Sequence, residues 1–293
     1  MEQQTNITQT IMETINTIFD NLFSSINDSL YDVLDKLVFI NSNILQDSNF
    51  KNIFGSSSSN GILLIANSLL LGFILYFAIK HLFAYLTLTN VDKPISFIFK
   101  LIIFGILMNF SYFFLEIFID LISNISMAIT ELGKNLFHQK ICFSSLIDEI
   151  NSNISITEIS SLDIFSLDGL IKGSLTLSML NLIFTYSLRY VLVKVFILLA
   201  PFAFLSLCTN SSAWFFKAWF KNLFSLLFIQ IIVSVVLVLL FSSDYSDSNL
   251  FVKFIYIGGL YALIKANSTV REFLGGLSTN VAQSVNNFSK SHI

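Results

Sequence analysis

The chain has 293 residues, of which 54% are apolar and only 12% charged, with mean hydropathy +0.75 and formal net charge −3. One soluble core could not hide so much apolar surface, so several separate apolar runs predict an all-α, polytopic membrane protein. The slightly acidic balance offers no general basic field for nucleic acid.

Residues 1–10 are polar and uncharged apart from Glu2, so no signal peptide is expected there. Ile7, Ile11, Ile15, Ile18, Leu22, Ile26, Leu30, Val33 and Leu37 then recur at steps of three or four. This period predicts an amphipathic helix over 5–47, outside the cytoplasm. The segment is too polar to span, so the helix rests on the membrane or on sister helices. A target-binding helix is the alternative. The run GSSSSNG at 55–61 closes this first region, 1–61, as a flexible joint.

The transmembrane domain is expected over 62–266. Its first span is 62–86. The next loop carries Lys80, Lys93 and Lys100 against Asp92, which assigns it to the cytoplasm and the N-terminus to the outside. Pro94 suits the start of a second span, 95–123, with Glu116 and Asp120 in its outer end. Residues 124–172 read as an external loop with short helices, one of them at 127–137. His138 and Cys142 lie within it, but no further metal ligands are near. Cys142 and Cys208 fall on opposite sides of the membrane, so no disulfide is expected.

Residues 173–208 are nearly unbroken in apolarity, with Arg189 and Lys194 inside. As one helix they would be about 54 Å long, too long for a single upright crossing. A hairpin near Arg189 gives six spans. A tilted long helix, with its first turns outside the membrane, gives five. Lysine placement favours five. In that layout the crossing runs over about 188–208, Arg189 lies at the outer boundary, and 173–187 project about 20 Å beyond it. Pro201 marks a kink in the long helix.

The segment SSAWFFKAWFKN, 211–222, is amphipathic. Phe215, Phe216, Trp219 and Phe220 share one face, while Lys217 and Lys221 share the other with Trp214. A helix in the headgroup plane is expected, with Trp214, Lys217, Trp219 and Lys221 as interfacial anchors. The span at 222–243 has no charged residue and is about 33 Å long as a helix. A last span, 250–266, carries Gly258 and Gly259, which permit a close helix approach or a bend. A polar cytoplasmic tail follows over 267–293.

No phosphate loop, no dinucleotide fingerprint and no His-Glu-x-x-His occurs, so neither catalysis nor a cofactor is expected. The intramembrane polar residues are the candidates. Glu116 and Asp120 share an expected depth with Arg189 and Lys194, which makes them interhelical ion pairs or the lining of a conduit. Gln230 is read as an interhelical hydrogen bond or a substrate contact.

The order of elements, with LAPFAFLSL in the long helix, the turn SSAWFFKAWFKNLFSLLFIQ and REFLGGLST after the last span, resembles the TrbL-type membrane subunits of type IV secretion and conjugation machines, especially those of Gram-positive conjugative elements. The likeness covers 62–278 in layout and 195–230 in motif. The short tail departs from the family's common large C-terminal extension, and the external loop has no family landmark. The resemblance implies a scaffold or channel subunit of the cytoplasmic membrane. It would form a homo-oligomer, bounded by membrane lipid, beside secretion ATPases and stalk, pilin-like or cell-wall-side proteins. Contact with the transferred DNA stays open in that implication. A secondary transporter or permease, and a non-conducting membrane anchor, are the alternatives. A transporter would show repeated broken helices in two halves, and only one proline-broken helix is present.

Overall fold

The computed structural model describes residues 10–11, 14–15, 17–18, 28–55, 60–87, 94–154, 167–242 and 250–274. Helices account for nearly all of them, and no strand occurs among the described residues. Three short helices come first: α1 (Asp28–Val38), α2 (Asn43–Gln46) and α3 (Ser48–Phe54). The Asp47 side chain accepts from the Asn49 N–H and so caps α3, and Gly55 ends it at φ 92°. Then follow α4 (Ile62–Thr87), α5 (Pro94–Asn109), α6 (Ser111–Phe137), α7 (Phe143–Ile154), α8 (Leu167–Leu198), the one-and-a-half-turn α9 (Ala200–Leu205) with a 3-10 turn at Ser206–Cys208, α10 (Ala213–Phe241) and α11 (Leu250–Leu274).

Among the described residues four helices are long and apolar enough to cross a bilayer: Ile62–Thr87, Ser111–Phe137, Gly173–Leu198 and Ala213–Phe241. The expected second span does not run unbroken. It bends at Phe110, where the Asn109 amide donates to the Gly105 carbonyl and pairs with Asn67 of α4. Its second part then continues to Phe137, so residues 127–137 are the end of α6 and not a separate loop helix. The expected polar tail begins later too, because α11 stays helical to Leu274. Residues 155–166 of the external loop, 243–249 and 275–293 lie outside the described residues, as do most of the first 27.

α10 is the axis of the fold. It is buried along most of its length, from Trp219 to Phe241. α6 runs parallel to it: Phe118 meets Phe220 and Phe224, Ser126 meets Ser234, and Gly133 faces Val238. α8 runs antiparallel, with the Trp219 indole N–H donating to the Phe196 carbonyl at 2.7 Å and Arg189 donating to Leu226. α11 closes the group through Gly259, whose missing side chain admits Leu240. The Tyr186 hydroxyl of α8 donates to the Leu263 carbonyl of α11.

This alignment corrects two expectations. The backbone does not turn at Arg189: α8 runs through it without interruption. Nor does Arg189 lie beside a helix end, where an outer-boundary position would put it. It sits level with Leu226, beside the midpoint of α10. The stretch 173–187 therefore does not project alone. Leu175, Met179, Leu182 and Tyr186 are buried against α1, α10 and α11 within the same chain. The break in α8 falls at Leu199, and Pro201 occupies the first turn of α9, where its missing N–H costs nothing.

The amphipathic turn is also different from its expectation. Residues from Ala213 onward are the first turns of α10 and do not form a separate helix lying flat. Phe216 and Trp219 meet the ring of Phe204 of α9 in tilted contacts, and Phe220 stacks on Phe216. Trp219 is 2% exposed, so it anchors helix to helix, whereas Trp214 is open at 67% and Lys217 and Lys221 are exposed.

Candidate functional site

The polar residues singled out in the spans converge on one object, the chain between α1 and α3. Residues 39–42 are not helical, and local backbone bonds, such as Phe39 N–H to the Asp35 carbonyl and Ile40 N–H to Val38 at 3.2 Å, serve their peptide groups only in part. Ile40 is nevertheless 2% exposed, and Leu45 is fully buried. Irregular backbone at such depth is tolerated only where protein groups satisfy it. Each required partner comes from a different helix. Gln230 Oε1 of α10 accepts the Ile40 N–H at 3.0 Å. Asp120 Oδ1 of α6 accepts the Ser42 N–H at 3.2 Å. Arg189 of α8 donates from Nη1 to the Val38 carbonyl at 2.8 Å, with a longer contact to Leu37 at 3.5 Å.

Arg189 also donates from Nε to the Leu226 carbonyl at 2.7 Å, which ties α8 and α10 to the same segment. Its side chain is fully buried, and the hydrogen-bonded acceptors around it are carbonyls. Carbonyl dipoles stand in for a counter-ion here, so the planar fork of arginine suits the position better than a lysine point charge.

The segment is held further along. Glu116 Oε1 accepts from Gln46 Nε2 at 3.2 Å, and Gln46 Oε1 accepts from Lys51 Nζ at 2.7 Å. Lys194 pairs with Asp47 at 3.8 Å and lies over the rings of Tyr190 and Phe50. The Tyr112 hydroxyl donates to the Leu45 carbonyl at 2.7 Å. Thus Glu116, Asp120, Arg189, Lys194 and Gln230 are brought together, but not as pairs of one with another. Each grips residues 37–51. Ser126 and Ser234 extend the seam along α6 and α10, both bonding toward the Gln230 carbonyl.

One turn before Val38 in α1, Asp35 Oδ1 accepts the Phe143 N–H at 2.9 Å and so fastens α1 to α7. Burial pushes the Asp35 carboxyl above the usual carboxylate range, and the Phe143 and Ser144 N–H groups oppose this only in part.

Sequence reasoning found the gripping side chains and missed what they grip. The signal was the run Asn41-Ser42-Asn43, a polar interruption in an otherwise helical period. Asp47 was passed over for the same reason. Chemically the arrangement can clamp a backbone. Among the described residues no group of three His, Cys, Asp or Glu side chains is placed to hold a metal. The chain matches no family model, no curated protein and no solved structure.

Proposed function

We propose that this chain is a TrbL-type scaffold subunit of a type IV secretion or conjugation machine, a homo-oligomer that forms the membrane base of the channel. In this reading five spans cross the cytoplasmic membrane: α4, the α5–α6 pair, α8, α10 and α11. The N-terminus is outside and the C-terminus inside, since Lys80, Lys100, Lys217 and Lys221 then all face the cytoplasm. Secretion ATPases and wall-side subunits are the partners, and no reaction is assigned to the chain itself.

One observation carries the choice of scaffold over transporter. The mid-depth polar side chains are used on the chain's own N-terminal segment. A transporter needs such groups free to meet a substrate near the bilayer midplane. A subunit that has to keep a fixed shape in an assembly needs them engaged, as Asp120 Oδ1, Gln230 Oε1 and the Nε and Nη1 of Arg189 are here.

Deleting the gene from its native element is expected to abolish transfer of DNA to a recipient while leaving the nicking of DNA in the donor intact. Undiminished transfer would reject the reading. Orientation is checked separately. Single cysteines at the exposed positions 138–140 are expected to react with an impermeant maleimide on intact cells, and those at the exposed positions 214, 217, 218 and 221 are not. The reverse pattern would invert the topology.

A further inference from the structure

A cavity of about 260 Å³ opens where the α4–α5 hairpin meets the turn between α9 and α10. Its polar wall holds Lys80, Lys100, Thr209, Asn210 and Ser211, with Tyr76 at the rim. Lys100 Nζ donates to Asn210 Oδ1 at 3.1 Å, which fixes that ammonium against the turn. Among the described residues no Asp or Glu lines the cavity. Two cations and several neutral hydrogen-bonding side chains, Ser96 among them, with no carboxylate beside them among the described residues, make a pocket for a phosphate-bearing anion.

The surroundings identify what carries the phosphate. The cavity wall continues into α4 and α5, whose Leu75, Ile79 and Phe99 are 63%, 48% and 62% exposed. A soluble anion has no use for bare hydrocarbon at both sides of its pocket, and nor does a nucleic-acid strand. A lipid headgroup needs both, because its chains must run down an apolar wall from the level of its phosphate. We propose that this pocket binds the headgroup phosphate of an anionic phospholipid. The lysines and the Thr209–Ser211 turn hold the phosphate, and the lipid chains lie along α4 and α5. The proposal rests on the membrane reading above, with this face at the cytoplasmic leaflet.

The test uses the full chain purified in neutral detergent. Native mass spectrometry would count retained lipid after titration with phosphatidylglycerol or phosphatidylcholine. Phosphatidylglycerol is expected to be retained in preference. A juxtamembrane lysine contributes about a fivefold gain in occupancy near an anionic surface, so K80Q/K100Q is expected to lose about 25-fold. The K80R/K100R variant keeps the preference, and K217Q/K265Q, which removes the same charge elsewhere, leaves it unchanged. Equal loss in K217Q/K265Q would reduce the effect to general charge and overturn the site. So would equal retention of the two lipids by the unmodified chain. Inorganic phosphate or a single-stranded oligonucleotide displacing phosphatidylglycerol at millimolar concentration would reassign the pocket to a soluble anion. A chain without a membrane role would fail at the transfer and labelling tests above, whereas a mistaken pocket fails only here.

Discussion

α10, at the centre of its helix group, and the α4–α5 hairpin are both strongly apolar and have opposite fates. In the most apolar stretch of α10, 56% of residues are buried in the protein, against 6% in α4. Inside the first region lie an arginine, a glutamine and several serines, while the second turns leucines and phenylalanines outward. Hydropathy measures what a helix tolerates around it and not what it touches. In lipid the distinction is made by polar groups, because only they lose free energy by being left unpaired. The hairpin has few such groups, and the central group has enough to be assembled around them.

The largest expected effect breaks the central group at its clamp. Arg189→Ala leaves the Val38 and Leu226 carbonyls without their donor and opens a cavity, for a loss of about 3–5 kcal/mol. Thermal unfolding in detergent would register it, together with faster proteolysis within residues 28–54. Gln230→Leu removes the better acceptor of the buried Ile40 N–H and leaves it only the Val38 carbonyl at 3.2 Å, for about 0.5–1.5 kcal/mol by the same assay.

A pair of glycine substitutions sharpens the contrast without touching polarity. A side-chain carbon added at Gly259 would lie 2.4 Å from a Leu240 methyl, while one at Gly72 of α4 meets nothing within 4 Å. Gly259→Ala is therefore expected to cost about 1–3 kcal/mol by overpacking. Gly72→Ala should be neutral or stabilise by up to about 1 kcal/mol through helix propensity. Equal effects at the two positions would remove the distinction between the regions.

The smallest effect concerns Asp35. Its folded carboxyl titrates above the unfolded value, so the folded state holds the proton more tightly. Its contribution to stability is therefore greatest at low pH and falls as pH rises through the folded pKa. Asp35→Asn keeps an oxygen for the Phe143 N–H. It is expected to be level with the unmodified chain or up to about 1 kcal/mol more stable at pH 7, with that part of the pH slope gone. A steeper slope in the variant would contradict the assignment.

Much of the architecture was legible from apolar run lengths alone. The spans expected at 62–86, 222–243 and 250–266 fall on α4, α10 and α11, and the long helix breaks near Pro201, because these runs are too long and too apolar for anything else; the extra turns from Ala213 and out to Leu274 were not foreseen. The depth of Arg189 was not legible, since depth along a helix is set by its neighbours. A register in which Arg189 meets the Leu226 carbonyl cannot be read from α8 by itself. The role of residues 37–47 was hidden for a related reason. Their period continues the amphipathic pattern of the preceding helix, and only Asn41, Ser42 and Asn43 betray the break. Charge logic misled at Lys194, because the nearest acid in depth by sequence was Glu116 or Asp120. Its partner, Asp47, lies in a segment read as lying outside the span.

The account stands or falls on the burial of residues 38–45 within the bundle. Single cysteines at Asp32, Lys36, Val38 and Leu45, in a chain with Cys142 and Cys208 replaced by alanine, would be reacted with a small permeant maleimide in native membranes. Asp32 and Lys36 are exposed, whereas Val38 and Leu45 are fully buried. Labelling is expected at 32 and 36 and not at 38 or 45, until Arg189→Ala is added and 38 and 45 become reactive. Uniform labelling at all four positions in the unmodified background would contradict the docked segment.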